Sequence, residues 1–296
     1  MSDFLNHSTN NKLFIHLNHN KMRQFFKPGF YAITFLLFLI SCQKQETVEP
    51  LQAEEIMTST SARTGGEISN VFKGPNVALG EGNVRSWVRI NHLNMPLEIG
   101  VEITEKAFNH LPHERANLVL RLHNKALEVT TFKHIYFNYH PHGHPPLGVF
   151  TVPHMDAHFY MKTNEERLAI PAVTFPPAPN ATSPLFFLPP PAGYMAPGYV
   201  RGAPEAQMGL HWAPSPPTFI PFSKVMIYGT YNGELTFVEP MITLQHMLDG
   251  GSSTNYPQPA KVAEAGNYPT TYNIYRDEKS GNYNITLSNF VARLAN

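Results

Sequence analysis

Alternation of apolar and polar side chains dominates this chain, and it is clearest between Val149 and Met161. There Met155, Ala157, Phe159 and Met161 alternate with His154, Asp156, His158 and Tyr160. Period two is the mark of a strand with one face in a core and a polar face opposite. Less regular runs predict further strands from Gly82 to Asn91, from Pro96 to Thr104, from Ala116 to Leu122 and from Phe132 to Asn138. Val225 to Glu239 reads as a hairpin turned at Asn232-Gly233. A last hairpin joins Tyr272–Arg276 to Tyr283–Leu287. Helix signals are short. Thr104 caps a helix reaching about Leu111, Thr163-Asn-Glu-Glu166 is a capping box, and Thr243 to Leu248 ends at Gly250-Gly251. Fourteen of the 27 prolines lie between Pro171 and Pro221, so this span is expected to avoid the middle of a sheet. Phe175, Leu185–Leu188, Tyr194, Tyr199 and Trp212 make it too apolar for a disordered linker, and it reads as an ordered loop wrapped over the sheet. The sum is a mainly β chain. We expect a single β-sandwich or barrel-like domain with two or three short helices and a long proline-rich covering loop.

The first 67 residues follow a different pattern. Lys21, Arg23 and Lys27 precede an apolar stretch from Phe30 to Ile40, which is far short of the ~20 residues that span a bilayer. That layout describes a secretory signal over residues 1–41, with translation starting better at Met22-Arg23 than at Met1. Residues 42–67 are rich in Glu, Thr and Ser and read as a flexible tether, leaving 68–296 as the β-rich globular domain. Cys42 is the single cysteine, so neither an internal disulfide nor a thiolate metal site can form. Residues 1–41 hold four of the 22 Lys/Arg and one of the 22 Asp/Glu. The remainder is 18 against 21, near −3, with no basic cluster to suggest nucleic acid as a partner.

Candidate chemistry is concentrated in one place. Six of the fifteen histidines fall between His134 and His158, and imidazole is the commonest neutral metal ligand. Strand geometry limits which of them can share an ion. Residues four apart on a strand are ~13 Å apart, so His154 and His158 cannot bind one ion on a regular strand, whereas residues two apart lie ~7 Å apart on one face and can converge. In a helix the same pair would adjoin at i, i+4; the Met/Ala/Phe/Met face favours the strand. The expected site joins His142 and His144 to one or both of His154 and His158, a bulge at Pro153 being able to re-aim His154, with Asp156 as ligand or as acceptor behind a ligand. His211, within the proline-rich span, is a further candidate ligand, and Glu239 a carboxylate ligand or general base. His134 and His140 read as polar-face residues or turn donors. Nitrogen and oxygen donors suit a divalent Zn, Cu, Fe, Mn or Ni ion without choosing among them. A Gly-x-Ser-x-Gly elbow, a P-loop and a dinucleotide glycine fingerprint are all absent from the sequence.

Leu39-Ile-Ser-Cys42 resembles the lipobox of bacterial lipoproteins, which implies cleavage before Cys42, acylation of that residue, and attachment to a membrane at the periplasmic face or cell surface. Gln43-Lys-Gln-Glu46 is similar to the tether after the lipid cysteine in surface lipoproteins of Bacteroidetes. His142-Gly-His-Pro-Pro146, Val152-Pro-His-Met-Asp-Ala-His-Phe-Tyr160, Met208-Gly-Leu-His-Trp212 and Glu239-Pro-Met241 together resemble a family of uncharacterised exported bacterial proteins typified by a Thermus homo-oligomer. That resemblance spans about Gly80 to Phe290 and implies a mainly β domain and a ring-like homo-oligomer, with no assigned activity. The Gly-His-Pro and His-x-Asp-x-His runs are also similar to cupin metal sites, but the cupin His-x-His followed shortly by Glu is absent. Three functions are therefore carried forward. They are a His-rich divalent-metal site in an exported lipoprotein, a non-catalytic structural or oligomerising module, and a glycan- or peptide-binding surface lined by Tyr194, Tyr199 and Trp212.

Overall fold

Nearly every period-two run becomes a strand. The computed structural model describes residues 68–171, 183–215 and 219–296; the expected signal segment, Cys42 and the tether lie outside them. In chain order the elements are β1 (Ser69–Lys73), β2 (Val77–Leu79), β3 (Gly82–Asn91), β4 (Pro96–Ile103), α1 (Glu105–Asn109), β5 (Ala116–Arg121), α2 (Asn124–Val129), β6 (His134–His140) and β7 (His154–Tyr160). Then come α3 (Asn164–Leu168), a 3-10 turn (Pro184–Phe187), β8 (Tyr199–Glu205), β9 (Gly209–Pro214), β10 (Lys224–Tyr231), β11 (Glu234–Thr243), α4 (Leu244–Leu248), β12 (Ser252–Asn255), β13 (Gly266–Arg276) and β14 (Tyr283–Arg293).

The strands form two seven-stranded sheets. The first runs β1-β3-β4-β14-β13-β12, with β2 on β3; the second runs β5-β6-β7-β11-β10-β9-β8. All the pairings are antiparallel. One hydrophobic cluster draws on both: Val84, Val88, Ile99, Val101, Ile103 and Ile285 from the first sheet, and Ile135, Phe137, Met155, Phe159 and Tyr228 from the second. The sheets therefore pack face to face as a β-sandwich, each giving alternate residues to the shared core. Among the described residues, no helix is long and apolar enough to cross a membrane.

Local signals account for the junctions. Thr104 accepts from the Ala107 amide to start α1, the Thr163/Glu166 capping box starts α3, and Thr243 accepts from the His246 amide to start α4. Asn232 and Gly233 take the left-handed φ values of 53° and 75° that a two-residue hairpin demands. The mainly β sandwich matches the expected class, with two details added. Among the described residues there are four α-helices. One of them, α2, is capped by His123, whose Nδ1 accepts from the Lys125 amide at 3.1 Å, a cap not visible as Ser, Thr or Asp. The proline-rich span is also more than a covering loop, because it contributes β8 and β9. Its prolines are tolerated because β8 is the edge strand and Pro214 closes β9, where a missing N–H disrupts no central ladder.

The strand β7 is buried along its whole length. Its Met155/Ala157/Phe159 face enters the shared core. The opposite face carries a second apolar group, in which Tyr160, Val225, Ile227, Phe237 and Met241 of the same sheet are joined by Phe150, Phe219 and Phe222 from loops, with Phe150 and Phe222 against His154. The polar face that the alternation predicts is thus enclosed instead of solvated.

Candidate metal centres

Strand register brings the polar residues together. Between β6 and β7, His140 lies opposite His154, Asn138 opposite Asp156, Tyr136 opposite His158, and His134 opposite Tyr160. Between β7 and β11 the pairs Val238–Phe159 and Met241–Asp156 set Glu239 beside His158. Further across the sheet, His211 of β9 pairs with Gly229 of β10, and Gly229 with Phe237 of β11. A Cβ on Gly229 would come within 2.1 Å of the Phe237 ring. Its absence lets that ring lie over the strand, where it contacts both His211 (5.1 Å between centroids) and His158 (4.8 Å).

Two groups of ligand-type side chains result. His140, His144, His154 and Asp156 form one; His158, His211 and Glu239 form the other; within each group the donor atoms lie within 4.8 Å of one another. Asp156 is the hub of the first, with Oδ2 at 2.9 Å from His140 Nε2 and 3.5 Å from His144 Nε2, and Oδ1 at 3.4 Å from His154 Nε2. In the second, Glu239 offers Oε1 at 3.1 Å to His158 Nε2 and Oε2 at 3.7 Å to His211 Nε2. Each group is buried but for one ring. The side chains of His144 and His211 are 29% and 19% exposed, against 4% or less for the others. His144 arrives on the loop after β6, where its amide donates to the Phe150 carbonyl. Gly143 shapes that loop. Its φ is +68°, and a Cβ there would meet the Phe150 carbonyl oxygen at 2.1 Å.

Three of the five rings share an orientation. Nδ1 of His144 faces the Pro145 carbonyl at 2.6 Å, Nδ1 of His154 the Val152 carbonyl at 2.7 Å, and Nδ1 of His158 the Tyr136 carbonyl at 3.1 Å. A carbonyl only accepts, so each Nδ1 carries the proton and donates. In the neutral imidazole that leaves a lone pair on Nε2, aimed at a carboxylate that also only accepts. Such an arrangement needs a proton or a cation between the two acceptors. The separations distinguish the cases: 3.4, 3.5 and 3.7 Å are long for a hydrogen bond. They match the ~3.3 Å spacing between two donors that each lie ~2.0 Å from one tetrahedrally coordinated ion. His154 Nε2, Asp156 Oδ1 and Glu239 Oε2 are buried with no hydrogen-bond partner, a costly state for polar atoms that nothing coordinates. Both groups can hold a metal ion.

Burial governs the electrostatics. It pushes His158 down to about 3 and His211 to about 4, and lowers His154 against the opposing pull of Asp156. These rings are therefore neutral near pH 7, the form that binds metal. His144 moves the other way: burial lowers it, but the Asp156 carboxylate outweighs burial and leaves it raised. For Asp156, burial acts upward and is overcome by the neighbouring His140, His144 and His154 rings, which hold it below the usual carboxylate range. Glu239 is raised well above its ordinary value by burial and by repulsion from Asp156.

Comparison with known proteins yields no match to a family model, a curated protein or a solved structure. The geometry stands alone.

Of the residues singled out from sequence, His144, His154 and Asp156 come together in the first group, and His158, His211 and Glu239 in the second. His154 and His158 fall in different groups, as strand spacing requires. His142 is exposed and belongs to neither. His140, which the sequence assigned to a polar face, is instead a member of the first group. Its usable signal was the alternation His134-Tyr136-Asn138-His140, which puts it on the same face as its cross-strand neighbours. Cys42 lies outside the described residues. Tyr199 and Trp212 are 9% and 8% exposed and belong to the core, which removes two of the three aromatics on which the sugar-binding alternative rested.

Proposed function

We propose that this chain is an exported, lipid-anchored protein whose function depends on a divalent transition-metal ion held by His140, His144, His154 and Asp156. The observation that carries the reading is the convergence of the His144 and His154 lone pairs on a buried carboxylate at separations suited to shared coordination, with His140 Nε2 beside them. The main-chain carbonyls behind His144 and His154 strengthen it, since metal-ligating histidines typically donate their second ring N–H to such partners. Three nitrogens and one oxygen form a closed four-ligand set for a tetrahedral ion such as Zn(II), and also suit Cu, Fe, Mn or Ni. The chain's own residues do the positioning. The strands β6 and β7 fix His140, His154 and Asp156 by register, and the Gly143 turn delivers His144 from the loop. Export and anchoring rest on the lipobox-like segment ending at Cys42, as does the placement of the domain at a membrane surface.

A purely structural role for these histidines is the competing reading. It requires direct hydrogen bonds among them, and of the three contacts to Asp156 only the 2.9 Å one from His140 has that length. Elemental analysis of purified protein, with Zn(II) or Co(II) titration of chelator-treated material, decides between the two. Wild type should hold metal at this centre, and Asp156→Asn should lose it with the fold retained by circular dichroism. Wild-type protein that stays metal-free after reconstitution would refute the proposal. Metabolic labelling with a fatty acid, lost in Cys42→Ser, tests the anchor separately.

A further inference from the structure

The second group differs from the first in a way that bears on reactivity. His158, His211 and Glu239 supply only three ligands. Three protein ligands with a remaining open position characterise catalytic metal centres, whereas four ligands close a structural one. We propose that His158, His211 and Glu239 form a second metal centre, with an open coordination position that takes water or a small anionic ligand. This proposal shares the metal-binding reading of the first centre but uses none of its residues.

Six observations support it. His158 and Glu239 are 2% exposed, and their Nε2 and Oε1 lie 3.1 Å apart, a separation open to a hydrogen bond from protonated Glu239 in the empty site and to a shared ion in the filled one. Oε2 of Glu239 is buried without a hydrogen-bond partner and faces His211 Nε2 at 3.7 Å, too long for a hydrogen bond and suitable for a common ion. The Nδ1–H of His158 is committed to the Tyr136 carbonyl, so its Nε2 is the ligand atom. The third ring, His211, stands at the rim and is the only ligand of this centre with appreciable exposure. Its Nδ1 is buried with no hydrogen-bond partner among the described residues. Aromatic rings line the pocket, with Phe237 against both imidazoles and Tyr160 stacked 6.1 Å from His158, while Asp156 and Glu205 are the nearby acids. An ion in such a pocket keeps few competing water contacts, and a small anion gains from its charge.

The two centres are close but separate. Asp156 and His158 are two residues apart on β7, about 7 Å along one face, so neither ion shares a ligand with the other. The first centre then acts as the clamp that holds the loop after β6, and the second as the exchangeable position.

Co(II) reports coordination through its visible spectrum, and azide is a suitable small anion. Metal-free full-length mature protein in detergent should take up two equivalents of Co(II), and azide should shift part of the visible absorption. His211→Ala, at the rim, and the near-isosteric Glu239→Gln should each remove one equivalent and abolish the azide response while leaving circular dichroism unchanged. Asp156→Asn should remove the other equivalent and keep the azide response. One equivalent in wild type, unaffected by His211→Ala, would overturn the second centre and leave the first standing. Two equivalents with no azide response, or a response lost only in Asp156→Asn, would overturn the open-position assignment. No uptake at all would overturn both centres.

Discussion

His134 tests whether every imidazole on this face serves the metal groups. It stacks on Tyr160 at 4.8 Å and 5°, is 4% exposed, and its ring faces the Lys162 main chain without a hydrogen bond of good geometry. Burial, with the nearby Arg167 charge, lowers it to about 4 from an ordinary 6.5. The folded chain therefore holds it neutral while the unfolded chain protonates it below 6.5. Its contribution is intact above pH 6.5 and is lost as pH falls through 6.5 towards 4. His134→Phe should keep the stacking, remove two unpaired buried nitrogens and raise stability by about 1–2 kcal/mol at neutral pH. It should also flatten the acid limb between pH 6.5 and 4. Chemical denaturation of both proteins at pH 7 and pH 5 measures this, and a mutant less stable than wild type at both values would refute it. Both metal groups should remain loaded, because His134 is in neither.

At the scale of elements, two glycines connect backbone shape to the site. Gly143 occupies a left-handed φ of +68° in the loop carrying His144, with the Phe150 carbonyl 2.1 Å from where a Cβ would lie. Gly143→Ala should displace the loop. We expect it to weaken metal at the first centre by about 10–100-fold, the usual effect of disturbing a ligand's support, with little change at the second; isothermal titration calorimetry of each centre checks it. Gly229→Ala acts through packing. Its Cβ would collide with the Phe237 ring, so we expect a loss of about 1–3 kcal/mol from overpacking, read by urea denaturation, together with disturbed spectra from His158 and His211. The element-scale lesson concerns β7, β9 and their neighbours. The Met155–Met161 alternation was enough to name β7 and to place His154, Asp156 and His158 on one face. The strand β9 was hidden because prolines usually exclude sheet interiors, and only the edge position of β8 shows why they are admitted here. His140 was passed over because its membership depends on the cross-strand pair His140–His154, which no single-strand pattern contains.

For the whole molecule, two faces of the sandwich use charge differently. On the first sheet, Glu102 pairs with Lys73 at 3.0 Å and Arg85 at 2.7 Å, and Glu98 with Arg89 at 2.6 Å. Burial raises Glu102, but the Lys73 charge and the Arg85 hydrogen bond outweigh it and leave it lowered. That contribution is present above the ordinary carboxylate range and is lost as pH falls below it. On the second sheet Asp156 and Glu239 face inward, and among the described residues their only ion-pair partners are histidines, so bound metal should couple directly to folding. A metal at a hundredfold excess over its dissociation constant adds about 2.7 kcal/mol. Wild type should therefore melt higher when loaded than after chelation, while Asp156→Asn should lose at least the share owed to the first centre. Calorimetry with and without a chelator gives the answer; equal wild-type melting temperatures would count against metal at either centre.

From its own order of residues the chain determined the β-rich class, the hairpin at Asn232-Gly233, three of the helix starts, and the face of β7 that carries chemistry. These depend on periods and caps, which are local. Tertiary structure alone decided that the histidine face is buried rather than wet, that His140 joins it while His142 does not, and that seven candidate ligands divide into a group of four and a group of three. The reason is physical: strand register and loop closure are set by packing between segments far apart in the chain, and coordination geometry depends on distances of a few ångströms that no single segment contains.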